Sequence, residues 1–186
     1  MNLVINGDAE TGDCSKTKPY DKQPTGWKYT GSPIQVAYAA EWNQDNSTPG
    51  PSDRGQCYFA GYETANNSMW QTININDATT LSLLDSEKVS ANLSAWLGGY
   101  YSQDDNAKVT LNFYNQDGTK IGNAITIGPV LAVDREKKSE LLFRTNNGKV
   151  PAGTRSMIVL VEFTIINGRD NDGAADNIAV VLSASG

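Results

Sequence analysis

Histidine is absent from this 186-residue chain, and cysteine occurs only twice, as Cys14 and Cys57. The first absence removes the commonest general base, the usual activator of a nucleophilic serine or cysteine, and the imidazole that zinc and copper sites favour. Any metal is left with oxygen ligands, which directs attention to hard cations. No run of 18 apolar residues occurs, so no membrane-spanning helix and no membrane insertion are expected. A basic stripe is missing too. With 15 basic against 21 acidic side chains the net charge is −6, which repels nucleic acid. Lys137 and Lys138 follow Arg135 and Glu136, a mixed cluster that reads as a solvated face or strand edge. Neither a Gly-x-Ser-x-Gly elbow nor a phosphate-binding glycine loop is present. Met1 and Asn2 lead straight into the strand-like Leu3, Val4 and Ile5, so no signal peptide is expected within this chain; a secreted form would have lost its leader.

What the chain does contain is short alternating runs separated by Gly, Pro, Asn and Asp. They predict strands over 3–6, 27–30, 35–39, 56–61, 69–74, 89–99, 108–114, 121–127, 139–144, 157–166 and 177–182. Only 77–87, with Leu81, Leu83 and Leu84, has room for a helical turn. Asn115 to Gly118 and Pro151 to Thr154 are turn signals between paired strands. The expectation is an all-β chain, one domain over 1–186, folded as a jelly-roll β-sandwich of two antiparallel sheets. The two cysteines are compatible with one internal bridge, one bridge between subunits, or none, and the polar surroundings of Cys14 favour a bridge.

The segment from Asn167 to Asn177 concentrates Asp170, Asp172 and Asp176 with Gly168 and Gly173, just before a terminal apolar strand. Carboxylates, amide carbonyls and glycine-turned backbone carbonyls are the ligands of calcium. A second acidic loop holds Ser102, Gln103, Asp104, Asp105 and Asn106. Taken singly, each loop reads equally as a polar hairpin connection, since turns require the same residues.

Three stretches carry a resemblance: Asn2 to Glu10 at the start, Gly26-Trp27, and Ala175 to Val180 at the end. They resemble the galactose-binding-domain-like jelly roll of carbohydrate-binding modules and lectins. The resemblance implies a structural calcium where the first and last strands meet. Its side-chain ligands would be Glu10 and Asp176, with the Asp8 carbonyl beside them and the loop around Asp53 contributing. Pro49 to Gly55, Leu97 to Tyr100 and Ser102 to Asn106 are also similar to segments shared by a group of secreted proteins, which implies an extracellular location.

In such a jelly roll the strand over 89–99 pairs with the last strand, so their loops meet. Asp104 and Asp105 would then face Asp170 and Asp172 at one rim, repelling one another unless calcium or the basic Arg169 and Arg54 neutralise them. A rim ion would leave coordination positions for vicinal sugar hydroxyls. Tyr100 and Tyr101 adjoin this loop and offer rings on which the apolar face of a sugar stacks; Trp42 and Tyr62 are further candidates, whereas Trp27 and Trp96 read as core. The expected ligand set is Tyr100, Tyr101, Asp104, Asp105, Asn106, Arg169, Asp170 and Asp172. The resulting expectation is a non-catalytic, calcium-binding lectin for galactose-type glycans, acting as a homodimer so that weak sites add. Two other classes compete: an adhesion protein, which predicts an exposed apolar patch, and a glycosidase using a carboxylate pair.

Overall fold

Residues 1–63 and 65–184 are described by the computed structural model of the protein. The described strands are β1 (Lys28–Thr30), β2 (Ile34–Ala37), β3 (Cys57–Tyr62), β4 (Asn67–Asn74), β5 (Val89–Gly99), β6 (Asn106–Tyr114), β7 (Lys120–Ile127), β8 (Glu140–Lys149), β9 (Ser156–Thr164) and β10 (Asn171–Ala184), with one α-helix, α1 (Ala78–Asp85), between β4 and β5 and a single 3-10 turn (Tyr38–Ala40) between β2 and β3. They form two five-stranded antiparallel sheets, ordered β1-β4-β9-β6-β7 and β2-β3-β10-β5-β8. This is the expected all-β sandwich.

Period-two alternation builds the core. Val89, Ala91, Leu93, Ala95 and Leu97 of β5 are buried, and their neighbours are half exposed. On the facing sheet Met157, Val159, Val161 and Phe163 of β9 do the same. Each fully buried Leu, Val or Phe contributes roughly 1.5–3 kcal/mol. Trp27 joins this core, edge-on to Phe59, and its Nε1 donates to the Asn6 carbonyl at 3.1 Å. A second, smaller apolar cluster gathers Tyr20, Ile34, Val36, Tyr38, Tyr58, Ala60, Leu141 and Ala174. Tyr58 and Ala60 alternate in β3 with Cys57 and Phe59 of the main core, so this cluster lies on the other side of the second sheet. Trp96, expected in the core, instead lies half-buried against this cluster and the exposed Phe143.

The structure departs from the sequence expectations at four elements. Residues 3–6 form no strand: after one backbone bond from Leu3 N to the Val180 carbonyl at 2.9 Å the chain bends at Val4 and turns from Ile5, and side-chain amides replace the rest of a ladder. Asn2 Oδ1 accepts from Val4 N at 3.0 Å and Val180 N at 2.9 Å, while Gln71 takes both Ile5 N and Ile5 O. β8 continues five residues past 144, since Asn92 Nδ2 donates across to Thr145 Oγ1 and Asn147 Oδ1. The turn at Pro151 to Thr154 joins β8 and β9, which belong to different sheets, so it does not connect paired strands. β10 begins at Asn171, six residues before 177, and most of the supposed acidic loop is strand. Irregularities between Asn171 and Ala174 and between Asp176 and Ala179 let it carry residues that read as turn formers.

Cys14 and Cys57 form an internal disulfide that ties the segment before β1 to the start of β3. Neither thiol is then available to link two subunits covalently. Arg135 is not on a solvated face: it is wholly buried.

Candidate functional site

β5 and β10 pair with Gly98 opposite Ala174, so the end of one and the start of the other bring the two acidic segments together. Close backbone approach makes this contact. A Cβ on Gly99 would meet the Asp105 carbonyl at 2.7 Å, and one on Gly173 would meet the Asn106 carbonyl at 2.2 Å. Asp105 is fully buried; its carboxylate accepts from Ile166 N at 2.6 Å, Asn167 N at 2.7 Å and Asp172 N at 3.1 Å. Asp104 accepts from Ala132 N at 3.0 Å and donates its own N–H to Asn167 Oδ1 at 2.8 Å. The buried Asn106 donates to the Asp104 carbonyl at 2.9 Å. The Asp104 and Asp105 side chains therefore join loops to one another, Asn106 braces its own turn, and none of the three lines the rim cavity.

Arg135 completes the support. Its guanidinium donates to the carbonyls of Tyr101 at 3.0 Å, Gln103 at 2.8 Å and Lys138. Burial holds it below the usual arginine range against the pull of Glu140, Asp104, Asp134 and Asp172. A carbonyl-capping cation inside the fold explains how residues 100–103 keep their course without regular structure.

Over this framework opens a cavity of about 520 Å³. Of the predicted residues, Tyr100, Arg169, Asp170 and Asp172 line it, together with the alternative aromatic Trp42. Lys18, Glu41, Asn43 and Gln103 complete the wall and were not anticipated. Tyr101 lies outside, 57% exposed, its ring edge-on to Tyr100 with centroids 4.5 Å apart. Trp42 is braced by Tyr20 and Tyr62, with centroids 5.5 Å away in each case. Asn43 donates to the Asp172 carbonyl at 2.7 Å, and the buried Gln44 bonds Asn43 Oδ1 and the Gly99 carbonyl, each at 3.0 Å. Arg54, expected beside the rim acids, instead donates to the carbonyls of Asp45 and Pro51 and stacks over Tyr38.

Asp172 dominates the electrostatics. Its side chain is buried, yet among the described residues its carboxylate accepts no hydrogen bond. Burial pushes its pKa up to about 7, Asp105 and Asp170 add to the rise, and Arg135 opposes it. Gln103 Oε1 is likewise buried without a partner. The Asp172 carboxylate, beside Lys18 and Arg169, which have no ion pair among the described residues, and the rings of Trp42 and Tyr100, suits a ligand rich in hydroxyls with an apolar face.

A second junction gathers the residues of the expected structural ion. Asp176 is wholly buried; Oδ2 accepts from the Tyr38 hydroxyl at 2.6 Å and Oδ1 from Asn177 N at 2.7 Å. Burial raises its pKa well above the carboxylate range; the two hydrogen bonds oppose this, and Glu10 and Asp8 reinforce it. Glu10 Oε1 accepts from Gln56 N and Cys57 N, both at 2.8 Å, and Asp53 Oδ1 accepts from Asn177 Nδ2 at 3.0 Å. No three acidic side chains form a ready-made metal cage among the described residues. A buried carboxylate next to two others, with no basic partner in hydrogen-bond contact, does fit a hard cation whose remaining ligands are backbone oxygens.

No protein-family model and no curated protein matches the chain. Among solved structures, it is similar to the enzymatically active domain of bacteriophage CBA120 tailspike protein 4, at 15% identity and a TM-score of 0.61. That match covers 98% of this chain but only 21% of the tailspike, so the chain spans about a fifth of it. A family 16 carbohydrate-binding module matches at 16% identity and TM-score 0.57, over 97% of this chain and 99% of that one. TmCBM61, solved in complex with β-1,4-galactotriose, matches at 14% identity and TM-score 0.55, over 97% and 98%. The chain has the jelly-roll β-sandwich fold of carbohydrate-binding modules.

Proposed function

We propose that the chain is a non-catalytic carbohydrate-binding module, working outside the cell, that holds galactose-type sugars in the rim cavity. The observation that carries this reading is the combination of the Trp42 and Tyr100 rings with the Asp172 carboxylate, which accepts no hydrogen bond among the described residues, in one cavity. A sugar would stack on a ring while its hydroxyls donate to Asp172 and Asp170 and accept from Arg169. Similarity in fold to a module solved with galactotriose makes galactose the first choice of sugar. The internal disulfide supports an oxidising, extracellular setting.

Calcium belongs to this reading at the junction of Glu10, Asp176 and the Asp8 and Asp53 segments, where it would neutralise the buried Asp176 and hold both ends of the chain. At the rim, Asp170 and Asp172 remain for an ion, because Asp104 and Asp105 are engaged in loop contacts. Association into a dimer, without a covalent link, would let weak sites add.

A glycan array with labelled protein, run with calcium and with EDTA, tests the proposal. Selective galactoside binding that Asp172→Ala abolishes is the expected result; binding that survives Asp172→Ala removes the rim cavity as the site. The adhesion reading has its own observation. Tyr101, Val133 and Ile166 are 57%, 76% and 58% exposed on three loops that Asp104 and Arg135 draw together. An array blank in both conditions would favour a protein partner at those residues.

A further inference from the structure

Lys18 lines a second surface besides the rim cavity. The neighbouring concavity, of about 660 Å³, includes Asp13, Lys16, Thr17, Gln56 and the Cys14–Cys57 bridge in its wall. Lys18 stands where the two meet, and its side chain has no hydrogen bond or ion pair among the described residues.

The ridge that carries Lys18 is held at both ends. Ser15 N donates to the Gln35 carbonyl at 2.9 Å, and Ser15 O accepts from Ala37 N at 2.9 Å. Ser15 Oγ accepts from Lys22 N at 2.9 Å, which closes the loop across its base. The disulfide anchors the residue before Ser15, and Tyr20 packs on both Trp42 and Tyr62. A long cationic side chain on a loop fastened in this way is a fixed divider with a flexible, donor-bearing tip.

We propose that the two concavities form one groove and that the ligand is an oligosaccharide of at least two sugar units, running from the floor at Asp172 across Lys18 into the second concavity. The proposal rests on the carbohydrate reading of the rim cavity. Each concavity alone has the size of a small-ligand site, so a single sugar leaves the second one empty. The two differ in chemistry. Stacking rings occur only in the first, where Trp42 and Tyr100 orient a sugar; the second offers charged and hydroxyl side chains and no aromatic ring, so it adds hydrogen bonds to the next unit.

Calorimetric titration of the whole chain with galactose and with β-1,4-linked galactobiose, galactotriose and galactotetraose tests this. Affinity is expected to rise at least about tenfold from one unit to three, an increment of about 1.4 kcal/mol. Thr17→Val, which removes a hydroxyl from the second concavity, and Lys16→Ala, which removes a donor from it, should reduce that gain and leave galactose affinity as it was. Equal affinity for galactose and galactotriose would overturn the second subsite while leaving the rim cavity as a sugar site. A gain with length that neither variant reduces would also overturn it, since the chain then leaves the cavity by another side. No binding at any length removes the rim reading and this one together. Should Thr17→Val fail to fold, Lys16→Ala decides.

Discussion

Replacing Asp172 by Asn should make the protein more stable at neutral and alkaline pH and change little in acid. The folded state raises the Asp172 pKa from 3.8 to about 7, chiefly by burial. A carboxyl with a raised folded pKa keeps its proton where the unfolded chain has released it. Its favourable contribution is therefore complete below about pH 4 and is lost as pH rises through about 7, after which stability is level. The full shift corresponds to about 4 kcal/mol, and solvent entering the open cavity reduces this to roughly 2 kcal/mol. Because its carboxylate accepts no hydrogen bond among the described residues, Asn in its place forfeits none. The variant should unfold about 4–8 °C above the parent at about pH 8 and at the same temperature at about pH 4. Thermal unfolding by circular dichroism across this range, in EDTA, measures the difference curve. Asp176 contributes in the same direction to both proteins and cancels. A difference that stays constant between acid and alkali would refute the reasoning, because it would not come from ionisation of Asp172. Loss of sugar binding in the more stable variant would show that the unpaired carboxylate is kept for its ligand.

The disulfide closes a loop with a sequence separation of 43 residues. Loop entropy assigns such a bridge about 4 kcal/mol, so a Cys14→Ser, Cys57→Ser double variant should lose roughly 2–4 kcal/mol in urea unfolding, and non-reducing electrophoresis should show no covalent dimer. Asp105→Ala leaves the N–H groups of Ile166, Asn167 and Asp172 without their acceptor. A loss of about 3 kcal/mol or more is expected, with faster hydrogen exchange at those three amides; unchanged exchange would mean that the loops hold without it.

Alternation along 89–99 and 157–166 was legible because a half-buried strand shows its period without knowledge of its neighbours. The helical turn over 77–87 was legible from Leu81, Leu83 and Leu84; the structure adds its cap, Asp77, whose carboxylate accepts from Thr80 N at 2.7 Å. The end of β8 and the start of β10 were not, since Asn, Gly and Asp favour turns locally and become strand only through partners far along the chain. Residues 3–6 failed in the opposite sense: their apolar character reads as strand, yet Gln71, 66 positions away from Ile5, takes both backbone groups of that residue. At the rim, composition picked out Asp170, Asp172, Tyr100 and Arg169, but nothing local distinguishes Asp105 from its neighbour Asp104. Arg135 looked like one of several surface charges.

By itself, then, the sequence determined the class of fold, the exclusion of imidazole chemistry, and the accumulation of carboxylates at two places. These follow from composition and short-range periodicity. Only the tertiary structure decided which carboxylates are engaged and which face the cavity. Asp105 is satisfied by three backbone amides, while the Asp172 carboxylate has no hydrogen-bond partner among the described residues and faces the cavity beside Asn43 and Gln103. Lys18, Glu41 and Arg169 reach one cavity from distant segments of the chain. The physical reason is that burial and hydrogen-bond partnership belong to contacts between segments, and no single segment carries a record of the others.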